Sequence, residues 1–139
     1  MKKKFTGIKL LKLFVGCFLG ALLGSFLFQY FSYGIQVNSS IKDIENIKSI
    51  TINQENQRID ITDKEEISEA VLFTDFLYMK IGQTEDFIPT TEYIVKLKSG
   101  EKIEIGSDDK HISKNGKQFN GNEEYLKVFN DSVKNIVLN

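Results

Sequence analysis

The chain's only histidine, His111, follows two aspartates in Gly106-Ser107-Asp108-Asp109-Lys110-His111. Two carboxylates beside an imidazole are the donors from which a metal site or a proton relay is built. This spacing matches no established ligand pattern, and adjacent aspartates between two hairpin signals read as a solvated turn. Glu65 and Glu66 form a second carboxylate pair, placed where a helix begins and where acids serve the helix dipole first. No serine or cysteine stands in a recognisable arrangement with His111, and no glycine-rich phosphate loop is present. Asn38-Ser39-Ser40 and Asn130-Asp131-Ser132 fit the glycosylation pattern, which carries weight only on a eukaryotic secretory route. The expectation is a binding protein with no catalytic, cofactor or metal residue.

A different set of residues acts through shape. Gly16, Gly20 and Gly24 recur four apart, with Cys17, Ala21 and Ser25 as a second row of small residues. On a helix the two rows lie side by side and make a groove where another backbone can come close, the geometry of membrane-helix packing. Glycine is also simply common in membrane helices and signal peptides. The element that must carry these rows is apolar: no charge occurs from Leu13 to Ile41, and Leu13 to Tyr33 exceeds the roughly 20 residues a span needs. Lys2, Lys3, Lys4, Lys9 and Lys12 crowd one flank, and Tyr30, Phe31 and Tyr33 gather at the other. The positive-inside tendency then puts residues 1–12 in the cytoplasm, a transmembrane helix at 13–33 and everything after it outside.

Two processing readings compete with an uncleaved anchor. Ser32 and Gly34 are small residues of the kind a signal peptidase inspects, although the apolar stretch is longer than the usual h-region of about 7–15 residues. Phe14-Val15-Gly16-Cys17 faintly resembles a lipidation box, but only four uncharged residues separate Lys12 from Cys17 and the apolar run continues far past it.

Composition bounds the remainder. With 139 residues the chain has room for one span and one small domain. The net charge of −1 conceals a division: residues 1–33 hold five lysines and no acid, so the rest, with thirteen bases against nineteen acids, carries −6. An acidic domain without a basic stripe repels phosphate backbones, which argues against nucleic acid as a partner. The expected partners are the lipid bilayer and, through the helix, another envelope protein or a second copy. Cys17 is the only cysteine, so one chain can form neither a disulfide nor a thiolate zinc site. Lysine outnumbers arginine seventeen to one, a bias of AT-rich bacterial genomes.

Residues 34–47 read as a polar linker in which Ser40 and Asp43 could start a short helix with Ile41, Ile44 and Ile47 on one side. Beyond it lies a domain over 48–139. If Glu55-Asn56 is a two-residue loop, Ile52 faces Ile59 and Ile50 faces Ile61, so one register serves both pairs. Thr62 or Asp63 caps a helix expected to run to Ile81, with Ile67, Ala70, Val71, Thr74, Leu77 and Tyr78 on its core face. Leu72, Phe73, Phe76 and Met79 fall on an adjacent flank, a surplus that is either buried by another segment or a partner surface. A three-residue loop, Lys98 to Gly100, opposes Val95 to Ile103 and Tyr93 to Ile105; Asn115-Gly116 sets Ile112 against Phe119. The strands around these hairpins could leave a free sheet edge, with Lys96, Lys102 and Glu104 as its guards. Asn122 caps a last helix striped by Leu126, Phe129, Val133, Ile136 and Val137.

The element order is therefore β-β-α-β-β-β-β-α behind a transmembrane helix: an α+β domain with a mostly antiparallel sheet and its helices on one face. "ITD" before a helix, "YIVKLKSGEKIEI", and "KNGKQF" before a terminal helix resemble small extracytoplasmic domains of Gram-positive lipoproteins and anchored proteins, including YhfM-like domains, over residues 48–137. The resemblance implies an extracytoplasmic location and no functional residue. The expectation is a single-pass bacterial membrane protein displaying a non-catalytic interaction domain. A secreted, cleaved inhibitor or immunity-type docking factor is the alternative, and an envelope hydrolase the third.

Overall fold

The computed structural model describes residues 7–37, 41–80, 82 and 84–138, with side chains of residues 7, 8, 10, 32 and 33 left aside. The chain forms two compact units that divide at Ser32/Tyr33. The first is a single helix, α1 (Gly7–Tyr33). Its stretch Leu11–Phe31 is long and apolar enough to cross a membrane, and none of it is buried in the protein. At a rise of about 1.5 Å per residue these 21 residues reach about 30 Å, the depth of a hydrocarbon core. Tyr30 and Phe31 meet edge to face at its end, 5.6 Å apart.

The second unit is α+β. Its strands are β1 (Ile35–Gln36), β2 (Ile47–Gln54), β3 (Gln57–Ile61), β4 (Tyr78–Lys80), β5 (Thr91–Leu97), β6 (Lys102–Ser107), β7 (His111–Lys114) and β8 (Lys117–Gly121). They form one antiparallel sheet in the order β1-β4-β8-β7-β6-β5-β2-β3. Two helices, α2 (Lys64–Phe73) and α3 (Glu123–Leu138), cover one face of it. Alternation explains which face: Ile50, Ile52, Tyr93, Val95, Ile103, Ile105 and Ile112 all turn inward and are buried against Ile67, Ala70, Leu126, Phe129 and Val133. Tyr93 joins the layers twice, donating its hydroxyl to the Ala70 carbonyl at 2.7 Å and lying 6.0 Å from the Phe129 ring. Burial pushes its phenol well above the ordinary tyrosine range.

The hairpins have the expected registers. Ile50 opposes Ile61 and Ile52 opposes Ile59 across the Glu55-Asn56 turn, whose residues both take positive φ. Ile59, unlike the three others, is only half-buried. Val95 opposes Ile103 and Tyr93 opposes Ile105, with Gly100 at φ +92° closing the loop; Ile112 opposes Phe119 across Asn115-Gly116. Asp63 caps α2 by accepting from the amides of Glu65 and Glu66, and Asn122 accepts from the Tyr125 amide at the start of α3.

Three expectations are corrected. The helix after Asp63 does not reach Ile81, which lies outside the described residues; it stops at Phe73. The Thr74 amide bonds the carbonyls of Val71 and Leu72 instead of Ala70's, and the Thr74 hydroxyl also takes Val71. That tightening frees the Ala70 carbonyl for Tyr93 and leads through a 3₁₀ turn, Thr74–Phe76, into β4. The stretch read as a linker is partly sheet and core: β1 pairs with β4, the Val37 amide bonds the Leu77 carbonyl at 2.9 Å, and Val37 and Ile41 are fully buried. Gly34 leads into β1 at φ +90°, and a Cβ there would stand 2.3 Å from the Met79 carbonyl oxygen. A 3₁₀ turn, Ile44–Asn46, takes the place of the expected short helix, whose cap residue Ser40 lies outside the described residues. Finally, β5 to β8 are interior strands, because β2 covers β5 and β4 covers β8; the edges are β1 and β3.

Candidate functional site

The acidic turn before β7 closes on itself. Asp108 accepts from the amides of Lys110 and His111 at 2.7 and 2.6 Å and from the His111 ring Nδ1 at 2.9 Å. Partial burial raises the carboxyl's pKa, but the ring and the two amides outweigh that and hold it below the ordinary aspartate value. The His111 ring stacks on Phe87 at 5.1 Å, while Asp109 is exposed to solvent. Asp108 and His111 are thus brought together, Asp109 is not, and the pair is occupied in shaping a turn. Among the described residues no three of His, Cys, Asp and Glu are placed to hold a metal ion. Glu65 and Glu66 stand at the α2 N-terminus, as their spacing implies.

Asn130, which begins one of the two glycosylation matches, is an internal residue. It is almost fully buried in α3, where Oδ1 accepts from the Ser107 hydroxyl at 3.0 Å and Nδ2 donates to the Asp108 carbonyl at 3.2 Å. Its main-chain oxygen accepts from Gln54 Nε2, which also reaches the Thr91 hydroxyl at 2.9 Å. This network pins α3 to β2, β5 and β6, so the amide has no room for a glycan. The other sequon, Asn38 to Ser40, lies outside the described residues.

The small-residue rows lie on α1, where a Cβ added at Gly16, Gly20 or Gly24 would meet nothing within 4 Å and Cys17 is exposed. Ala21 and Ser25 are exposed beside them. The four residues of the possible partner surface are spread over three elements. Leu72 is 60% exposed on α2, whereas Phe73, Phe76 and Met79 are packed in part against the core. Once α2 ends at Phe73, Phe76 and Met79 leave its flank.

A surface that residue spacing did not reveal lies at the β3 end of the sheet. Ile59 and Ile61 of β3 floor an open groove of about 560 Å³. Glu66, Glu69 and Phe73 of α2 form one wall, and Ser132, Asn135 and Ile136 of α3 the other. Beside it, among the described residues, β3 has a partner strand on one side only. The signal available in the sequence was the alternation of Ile59 and Ile61 with Arg58 and Asp60, which assigns a face but not a place in the sheet.

An N-terminal apolar helix followed by an eight-strand antiparallel α+β domain, with an open apolar groove at one sheet edge, defines the class of this molecule. No family model, curated protein or solved structure matches the chain.

Proposed function

We propose that this is a single-pass bacterial membrane protein with a cytoplasmic N-terminus, whose acidic domain stands outside and binds a protein partner of the envelope, another protein or a second copy, without catalysis. The observation that carries the reading is the apolar helix, Leu11–Phe31, free of charge from Leu13 onward and interposed between a lysine-rich end and a domain of net −6. Lysines resist translocation and concentrate on the cytoplasmic side, so the asymmetry sets the direction. For the domain, the supporting feature is the groove at β3, where apolar side chains and a sheet edge lie open together.

The test is protease added to intact protoplasts carrying the chain with a tag at each end. Loss of the C-terminal tag with survival of a short N-terminal fragment is the expected outcome. A chain that stays whole until the membrane is permeabilised would sink the orientation and the extracellular interaction with it.

A further inference from the structure

The register of β3 with β2 decides which of its backbone groups are satisfied. The hairpin closes through Gln54 and Gln57, so the amides and carbonyls of Gln57, Ile59 and Ile61 turn towards β2 and those of Arg58 and Asp60 turn outward. Natural sheets blunt such an edge with charged side chains, above all lysine, or with a proline or a bulge. β3 has no lysine, proline or bulge; its two charges are opposite in sign and two residues apart, so whether they repel a second strand depends on the register.

We propose that β3 pairs antiparallel with β3 of a second copy about a two-fold axis through Ile59; this rests on the interaction reading above and names its partner. A strand with positions 58 and 60 turned outward offers three such axes. An axis at Arg58 sets guanidinium against guanidinium, and one at Asp60 sets carboxylate against carboxylate, both unfavourable. Only the axis at Ile59 places Arg58 of each copy opposite Asp60 of the other, twice over, in hydrogen-bonded pairs. It also sets Ile59 against its own counterpart in a non-hydrogen-bonded pair, where side chains come closest.

The side chains are ready for the exchange. Arg58 and Asp60 now pair within one strand at 3.1 Å, with side chains 62% and 53% exposed, so they swap partners without stranding a charge. Asp60 keeps the Thr51 hydroxyl as a donor throughout. On the inner face Ile59 belongs to the groove floor, so the axis joins the two apolar floors into one. The contact closes after two copies and removes the exposed edge instead of propagating it. Two chains anchored in one bilayer also meet at a raised effective concentration.

The test uses the full chain in membranes with Cys17→Ser, which leaves no native thiol. Ile59→Cys is expected to give a disulfide-linked dimer under copper–phenanthroline oxidation, and Glu101→Cys, on the exposed loop between β5 and β6, is not. Adding Arg58→Asp or Asp60→Arg to the Ile59→Cys chain makes both cross pairs repulsive and should lower dimer yield about tenfold. Co-expressing those two chains with different tags should restore a mixed dimer. Position 58 of each then opposes an opposite charge at position 60 of the other, while the pair within each chain stays repulsive. A purely intrachain role for Arg58 and Asp60 gives no such rescue. Equal cross-linking at 59 and 101, single variants that dimerise like the parent, or no recovery on mixing would each overturn the proposal. A protease-accessible domain without the dimer removes this inference and leaves the anchored-domain reading standing.

Discussion

Asp108 holds the turn between β6 and β7 through three donors, and its charge is what they grip. Asp108→Ala leaves two amides and a ring nitrogen without their acceptor, and we expect a loss of about 1–2 kcal/mol at neutral pH. The sign with pH comes from the lowered pKa: the folded carboxyl ionises below its unfolded value, so the stabilisation is complete above the ordinary aspartate range. It is lost as pH falls through the folded value. Urea midpoints of parent and variant should therefore differ at pH 7 and converge below about pH 4. Midpoints that stay apart in acid would mean that packing, and not the charge, had been removed. A turn at Asp108 and Asp109, just before His111, was readable in the sequence. Its stacking partner Phe87, twenty-four positions upstream, was not, because nothing local specifies that contact.

At the scale of elements, the hairpins were legible because each is a short-range object. Turn residues set the loop and side-chain parity sets the register, which is why Ile50–Ile61, Tyr93–Ile105 and Ile112–Phe119 could be paired in advance. The end of α2 was not legible. Periodicity runs on through Leu77 and Tyr78, but Tyr93, from a strand beyond the next loop, takes the carbonyl that a longer helix would have used. α1 is the opposite case, a helix whose apolar stretch is not buried in the protein. Its glycine row is open along its length, and a leucine there would block close approach of another helix. We expect Gly20→Leu to weaken self-association in a bilayer reporter assay while Leu23→Ile leaves it unchanged; equal signals would mark the row as passive.

For the whole molecule, the question is whether both units persist together. Ser32 and Gly34 offer a cleavage site that would begin the mature chain at Ile35, the first residue of β1. The length of the apolar helix argues for retention, since a span of this size is stable across a bilayer core. Mass spectrometry of the purified chain should therefore find its helix attached. A mature terminus at Ile35 would replace the proposed anchored protein with a secreted docking factor.

By itself the sequence determined the apolar helix, the charge division around it, the turns at Glu55-Asn56, Gly100 and Asn115-Gly116, and the antiparallel α+β character of the second unit. Each of these depends on residues within a few positions of one another or on simple counts of charge and hydropathy. Only the tertiary structure decided that Ile35–Gln36 and Tyr78–Lys80 extend the sheet, that Asn130 is buried, and that β3 forms the open edge. The reason is physical: a strand's place in a sheet and a polar side chain's burial are set by contacts between distant segments. The energy of such contacts belongs to neither segment alone.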